Sequence, residues 1–338
     1  MSLPAEMEFV DVPQPGGPEV LRLARRPLPA PGRGEVLIRV AAAGVNAPDL
    51  QQRRGRYDPP PGASPILGLE VGGEIAALGD GARRFAPGQP VVALTNGGGY
   101  AEYVAVPEGQ VLPVPEGWSG ADAAALPETF FTIEQTLVMR AGLSAGMHVL
   151  VHGGAGGIGG AAISIARLQG ARPIAVVSSP EKAAYARALG AVATIDRRHE
   201  DLVSRTRELT DGRGAERIVD IVGSETMAHN LEAAAVEGII LQLATLAGGR
   251  AEINAGLIVG KRLAILGSTL RPQPPEVKAA IAENLEREVW PALADGRIGP
   301  PRIRYFPLAE AVAAHRAMEQ PDHFGKIVLL TPFGESLR

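Results

Sequence analysis

The chain has 338 residues, 46% of them hydrophobic and 21% charged, the make-up of a globule long enough to need two cores. Its formal charge of -4, with no basic stretch interleaved with aromatics, argues against nucleic acid or an anionic membrane as partner. No apolar run reaches about 18 residues, and Met1 to Asp11 lacks the order of a signal peptide, so the expected location is the cytoplasm. The absence of cysteine excludes disulfides, thiolate catalysis and cysteine-ligated zinc.

The first 120 residues read as short strands punctuated by Gly and Pro: Glu35 to Val40, Gly72 to Leu78, Pro90 to Leu94 and Ala101 to Val106, which suggests a barrel or sandwich. Tyr57 to Pro65 holds four prolines and a glycine and predicts a stiff loop. At Ser119-Gly-Ala-Asp122 a capping box opens helical sequence through to Met139, and a domain boundary is expected near residue 125.

From there strands and helices alternate. The strands are Val149 to His152, Arg172 to Ser178, Thr194 to Ile195, Arg217 to Val222, Ile239 to Leu243 and Leu263 to Ser268. Six parallel strands with helical crossovers make an α/β, doubly wound sheet. After Arg271 come Pro-Gln-Pro-Pro, the helix Val277 to Ala294, a strand near Arg302 to Phe306, a helix from Leu308 to Met318 and a last strand, Lys326 to Leu330. That tail is too small for a third domain. It is expected to complete the β-rich domain, giving 1–125 with 272–338 for one domain and 126–271 for the other, with a cleft between them.

The most informative segment runs from Val149 to Ile163, a buried-type strand, a glycine loop and a helix of small residues. Gly154, Gly156 and Gly159 satisfy G-x-G-x-x-G, which allows a tight turn, close backbone approach to a pyrophosphate and close helix packing. Because the pattern follows a strand and opens the helix Ile158 to Leu168, it predicts a dinucleotide site. An NAD site usually has Asp or Glu at the end of the second strand. Here Ser178 and Ser179 stand there, with Lys182 in the next helix and Arg197 after the third strand, which favours NADPH through its 2′-phosphate. The same residues also read as an N-cap, Ser179, and two solvated cations, and Glu181 would weaken the preference if it reached the ribose. His148 and His152 are four apart, but in a strand that separates them by about 13 Å, so no metal is expected.

Taken together, Val45-Asn46-Ala-Pro-Asp49, Tyr57-Asp-Pro-Pro-Pro-Gly62-Ala-Ser, Leu67-Gly-Leu-Glu70, the glycine loop and Gly325-Lys-Ile-Val-Leu resemble the zinc-free quinone oxidoreductases of the medium-chain dehydrogenase/reductase superfamily. The likeness covers nearly the whole chain and is nearest to the p53-inducible branch, which shares the Tyr57 run and Pro-Glu-Gly at 107 to 109. It implies a GroES-like catalytic domain from both chain ends, a Rossmann domain between them, and a homodimer formed along the edge Leu263 to Leu270. Zinc-dependent relatives carry cysteine where Asn46 stands and histidine where Leu69 stands, and a four-cysteine loop for which Leu94 to Ala101 has no room.

By that resemblance Asn46 and Asp49 line the nicotinamide end and Tyr57 hydrogen-bonds the acceptor, although a turn, an N-cap and loop packing would account for the same three residues. Thr132 matches a threonine near the nicotinamide, or bonds to its own turn. Gly157 and Ile158 offer pyrophosphate amides, and Ser268, Thr269 and Lys326 fall where relatives approach the coenzyme, with surface or capping roles as the alternative. The chain departs from its relatives at Arg197, often Tyr, at Arg271-Pro272-Gln273, where a second basic residue is usual, and at Gly156, a serine in the nearest branch. The implied activity is NADPH-dependent reduction of quinones, ortho-quinone-like acceptors included. The alternatives are a zinc-free enone or enoyl-thioester reductase and, outside enzymes, an RNA-binding or crystallin-like protein.

Overall fold

Val149, Leu150 and Val151 are all fully buried, a state that a strand reaches only when both faces of its sheet are covered. In the computed structural model, which describes residues 3–337, the strand His148–His152 accordingly lies inside a six-stranded sheet. The order is Ala193–Asp196, Arg172–Val177, His148–His152, Ala215–Asp220, Ala234–Gln242 and Ala264–Gly267, every pair parallel. Numbered along the chain this is 3-2-1-4-5-6, the doubly wound order, and the reversal falls between His148–His152 and Ala215–Asp220. The glycine loop therefore leaves the sheet at its switch point. Ala234–Gln242 begins earlier than expected because a register shift between Ala215 and Arg217, with Glu237 at φ 61, lets the chain pair before Ile239.

The β-rich sheet runs Ile303–Pro307, Lys326–Leu330, Glu35–Val45, Glu70–Leu78, Pro90–Leu94 and Val111–Pro113, and Tyr103–Pro107 also pairs with Glu35–Val45. The tail does return: Ile327 lies opposite Val45 and Leu330 opposite Ala42, antiparallel. A two-stranded hairpin, Glu6–Asp11 with Arg22–Pro27, has no counterpart in the sequence reading, because its strands are half-exposed and lack a clean alternation. The helical stretch after Ser119 is broken into Gly120–Ala123, Pro127–Ile133 and a π-wound Glu134–Arg140, since Pro127 has no N–H to continue a helix. Pro291 likewise splits the long C-terminal helix into Pro275–Glu288 and Trp290–Ala294.

The chain divides into two units. The β-rich one joins the residues up to Phe131 to Arg271–Asp295 and to those from Pro300 on, and the α/β one holds Thr132–Leu270 with Gly296–Gly299. Met1, Ser2 and Arg338, which the sequence reading included in its terminal segments, lie outside the described residues. Among the described residues no helix is long and apolar enough to cross a membrane.

Candidate active site

The glycine loop separates into positions that the fold needs and one that it does not. A Cβ on Gly159 would lie 2.2 Å from the Gly153 carbonyl oxygen, and one on Gly154 would lie 2.6 Å from the Ala175 Cβ, so both are needed for helix and strand to close. Gly156 is extended (φ -82, ψ -179), and the nearest atom to a Cβ there is 3.4 Å away. The protein leaves that space open. Gly156 is the N-cap of the helix Gly157–Leu168, whose first turn carries no acidic side chain, and Gly160 N–H donates back to Gly156 O at 2.8 Å. The amides of Gly157 and Ile158 belong to the turn whose N–H groups have no intrahelical acceptor, a ready site for phosphate oxygens.

Ser178, Lys182 and Arg197 come together at the strand ends beside this loop. The Lys182 ammonium donates to Ser178 Oγ at 3.4 Å, and the Arg197 amide donates to the Val177 carbonyl at 3.0 Å, with the Arg197 side chain exposed. Ser179 caps the next helix by accepting from Lys182 N–H at 3.3 Å. The Glu181 carboxylate turns back onto its own amide and the Ser179 hydroxyl, and these bonds hold it below the usual carboxylate range. Nearby, His152 Nε2 is 2.7 Å from Asn230 Oδ1, and Asn230 Nδ2 donates to Asp220 Oδ2 at 2.6 Å, so the neutral ring carries its proton on Nε2. Burial pushes that imidazole down. Asp220 also accepts from Val222 N, Gly223 N and Thr226 Oγ1, which pins the loop at the switch point.

Elsewhere in the α/β unit, Thr132 C=O accepts from Thr136 Oγ1 at 2.7 Å, Ser268 Oγ donates to Gln135 Oε1 at 3.2 Å, and Thr269 is exposed. Lys326 is not among them, because it belongs to the β-rich unit.

There Lys326 closes a buried triangle. Its ammonium lies 2.5 Å from Glu70 Oε1 and 2.7 Å from Asn46 Oδ1, and Asn46 Nδ2 donates to the same Glu70 oxygen at 2.8 Å. The second Glu70 oxygen accepts from Glu128 N–H at 2.9 Å. Gly44 makes room: a Cβ there would meet Glu70 Oε1 at 1.9 Å. Asn46 also begins the helix Ala47–Arg53 in a capping box, its own N–H donating to Asp49 Oδ2 at 2.9 Å, while Gly68 N–H donates to Asp49 Oδ1 at 2.9 Å. Asp49 is thus not the N-cap but its partner three residues on, and a link between helix and loop, and burial above all raises it to about 6.

Behind Asp49 runs a chain of polar groups. Arg53 Nη1, which can only donate, is 3.0 Å from His315 Nδ1, so His315 Nε2 carries the proton and gives it to the Tyr100 hydroxyl oxygen at 3.1 Å. Tyr100 in turn bonds Asp49, and burial raises its phenol well above the ordinary value.

Tyr57 is half-buried, and its hydroxyl has no protein partner among the described residues. The Arg271 guanidinium stands 5.4 Å from its ring centroid. Burial raises the Tyr57 phenol, Arg271 pulls it down, and Glu128 and Asp49 push it up. Arg271 is fixed by Nε and Nη2 on the Asn96 carbonyl, at 3.1 and 2.8 Å, and by Nη1 on Gln52 Oε1 at 2.8 Å. The sequence reading assigned no role to Glu70, Glu128, Arg271 or Lys278. Glu128 is raised to about 7 by burial and then by Glu70, an environment that nothing in Pro127-Glu128 announces.

Comparison with known proteins agrees with this layout. The family described as zinc-binding dehydrogenase matches residues 157–286, and the alcohol dehydrogenase GroES-like domain matches residues 32–116. A quinone oxidoreductase of Pseudomonas aeruginosa is 34% identical over 93% of this chain and 97% of its own length. A mycobacterial protein solved in complex with NADPH superposes with a TM-score of 0.83 at 31% identity, covering 96% of this chain and 99% of that one. The CurK enoyl reductase superposes with a TM-score of 0.85 at 25% identity, covering 97% of this chain and 100% of that one. On the strength of the Pseudomonas relative, matched almost end to end, the chain belongs to the quinone oxidoreductase family of the medium-chain dehydrogenases/reductases.

Proposed function

We propose that the chain is an NADPH-dependent oxidoreductase that reduces quinones, ortho-quinone-like acceptors among them, without a metal ion. The observation that carries the reading is the grouping of Ser178, Lys182 and Arg197 beside the glycine loop, with serine where an NAD site has its ribose-binding acid. Two cations there suit a 2′-phosphate. Gly156, Gly157 and Ile158 would cradle the pyrophosphate, in the space that no protein side chain fills, while Thr132, Ser268 and Thr269 would serve the nicotinamide end. When bound, NADPH supplies the hydride.

The residues of the β-rich unit do not suit a catalytic zinc. Asn46 offers an amide, Leu69 offers no donor, and Glu70 is already ion-paired with Lys326. Without a Lewis acid a simple alcohol or aldehyde is a poor substrate, whereas a quinone or enone needs mainly to be held in place. Asn46 and Asp49 give the site its rigid floor, and the Tyr57 hydroxyl is the free donor for an acceptor oxygen.

Assaying a panel of quinones, enones, enoyl thioesters and aldehydes with NADPH and with NADH tests the reading. Fast NADPH oxidation by ortho-quinones supports it, and loss of activity with every quinone overturns it. The likeness to the CurK enoyl reductase favours a second reading, a double-bond reductase on enoyl thioesters, which the same panel separates by its preferred acceptor. An RNA-binding role is disfavoured by the net charge of -4. We further propose a cytoplasmic protein that forms a homodimer, the latter because Ala264–Gly267 ends its sheet with Ile265 exposed, an edge that needs cover. A monomer by light scattering would reject the dimer.

A further inference from the structure

Among the described residues, four lysine and arginine side chains are buried in the β-rich unit, and they fall into two kinds. Arg53 and Lys326 each meet a carboxylate, on Glu319 at 2.6 Å and on Glu70 at 2.5 Å. Arg271 and Lys278, 5% and 1% exposed, meet only neutral oxygens. Lys278 donates to Asn96 Oδ1 at 2.6 Å and to the Arg271 carbonyl at 2.8 Å, and Arg271 donates to Asn96 and Gln52. Two adjacent cations with no carboxylate in hydrogen-bonding contact are costly to bury, and burial followed by the proximity of Arg271 brings the Lys278 ammonium down to about 8. Such a pair favours negative charge arriving next to it. What stands next to Arg271 is the Tyr57 ring, with a hydroxyl that no group among the described residues satisfies.

We propose that Arg271 is a positioning residue that holds the Tyr57 phenol as hydrogen-bond and proton donor to the acceptor's carbonyl oxygen, with Lys278 and Asn96 fixing the guanidinium. This rests on the function proposed above. When bound, NADPH would supply a hydride that forms one C–H bond on a conjugated carbonyl acceptor and sends the π pair onto the carbonyl oxygen; the Tyr57 O–H bond breaks to give that oxygen its proton. NADPH is oxidised to NADP+, the acceptor is reduced by two electrons, and the phenolate regains a proton from water. The guanidinium over the ring stabilises that phenolate. The other charged groups facing Tyr57, Glu128 and Asp49, oppose it, so Arg271 is the group that makes the transfer affordable.

The test combines ultraviolet titration of tyrosinate with steady-state kinetics in wild type, Arg271→Met, Arg271→Lys, Lys278→Met and Tyr57→Phe. The difference between wild type and Tyr57→Phe isolates the Tyr57 signal. In Arg271→Met the Tyr57 phenol should titrate about one unit higher, tenfold in its ionisation equilibrium. In the same variant kcat for quinone should fall about tenfold or more while the KM for NADPH is unchanged. Arg271→Lys should recover part of both, and Lys278→Met should move both by less and in the same direction. An unmoved phenol, or an unmoved kcat alongside a moved phenol, overturns the proposal. Should Arg271→Met fail to fold, the Arg271→Lys and Lys278→Met titrations decide, and no shift in either overturns it. Wild type that oxidises NADPH with no acceptor would instead sink the proposed function, while the titration still reads the coupling of Arg271 to Tyr57.

Discussion

Replacing Lys326 with Met should unfold the β-rich unit at a much lower temperature. Glu70 is 0% exposed and Lys326 4%, and without the ammonium the carboxylate keeps only the Asn46 amide and the Glu128 N–H. It cannot swing away on the Gly44 side, where the strand backbone lies so close that a Cβ would fall 1.9 Å from its oxygen. Removing one partner of a buried pair costs about 3–5 kcal/mol, a large part of the about 5–15 kcal/mol that holds a domain folded. At about 2–4 °C per kcal/mol for a unit of this size, the midpoint should drop by about 6–20 °C. Scanning calorimetry on wild type, Lys326→Met and the double variant Glu70→Gln/Lys326→Met checks this. The double variant buries no lone charge and should recover more than half of the loss. A single variant within about 1 kcal/mol of wild type, or a double variant no better than the single, would refute the argument that charge isolation is the cause.

Changing Lys182 and Arg197 together to Ala should weaken NADPH binding by about 10²- to 10⁴-fold, at about 1.5–3 kcal/mol for each charge-assisted bond, and leave NADH binding unchanged; equal losses by fluorescence titration would contradict the assignment. Gly159→Ala, with a Cβ 2.2 Å from the Gly153 carbonyl oxygen, should destabilise the α/β unit, whereas Gly156→Leu should melt like wild type and bind coenzyme about tenfold more weakly. His315 is pushed down to about 3 by burial and then by Arg53 and Arg54, so stability from this group is complete above 6.5 and falls as pH drops, by about 1.4 kcal/mol per unit. Asp49, raised to about 6, has the opposite sign: its contribution is complete below 3.8 and is lost as pH rises towards 6. Asp49→Asn should therefore steepen the loss of stability between about pH 6 and pH 4 in urea titrations, and an unchanged slope would count against both groups. Dialysis against a chelator should leave quinone turnover intact, whereas activity lost and then restored by zinc would overturn the metal-free reading.

The strands of the α/β sheet were legible because burial on both faces demands unbroken apolar runs such as Val149 to Val151, and each run shows without its neighbours. The hairpin Glu6–Asp11 with Arg22–Pro27 was not, since its buried residues Met7 and Val10 are three apart and break the alternation of a strand, and Arg22–Pro27 is mostly exposed. Asn46 and Asp49 were found as candidates, but local sequence could not say that Asn46 would be shared between a cap and an ion pair, because Glu70 and Lys326 come from strands that meet only in the folded sheet. One missed residue did leave a trace. Lys278 stands with Ile281, Ala282 and Leu285 at the spacing of one helical face, so a lysine on an apolar stripe was visible before the fold was known.

That trace bears on how the site is charged. Where zinc-dependent relatives gather ligands, this chain places Asn46, Leu69 and a Glu70 neutralised by Lys326, so the local positive charge is taken up internally and is not available to an acceptor. The buried positive charge that meets no carboxylate directly lies instead at Arg271 and Lys278, and Arg271 stands 5.4 Å from the Tyr57 ring centroid. A metal polarises a carbonyl by direct coordination and can activate a reluctant substrate. A guanidinium acting through a phenol is weaker and becomes useful only once negative charge has begun to develop on the acceptor. An acceptor that draws hydride readily meets that condition, and a simple alcohol or aldehyde does not, so the distribution of buried charge and the expected substrate class follow from the same substitution pattern.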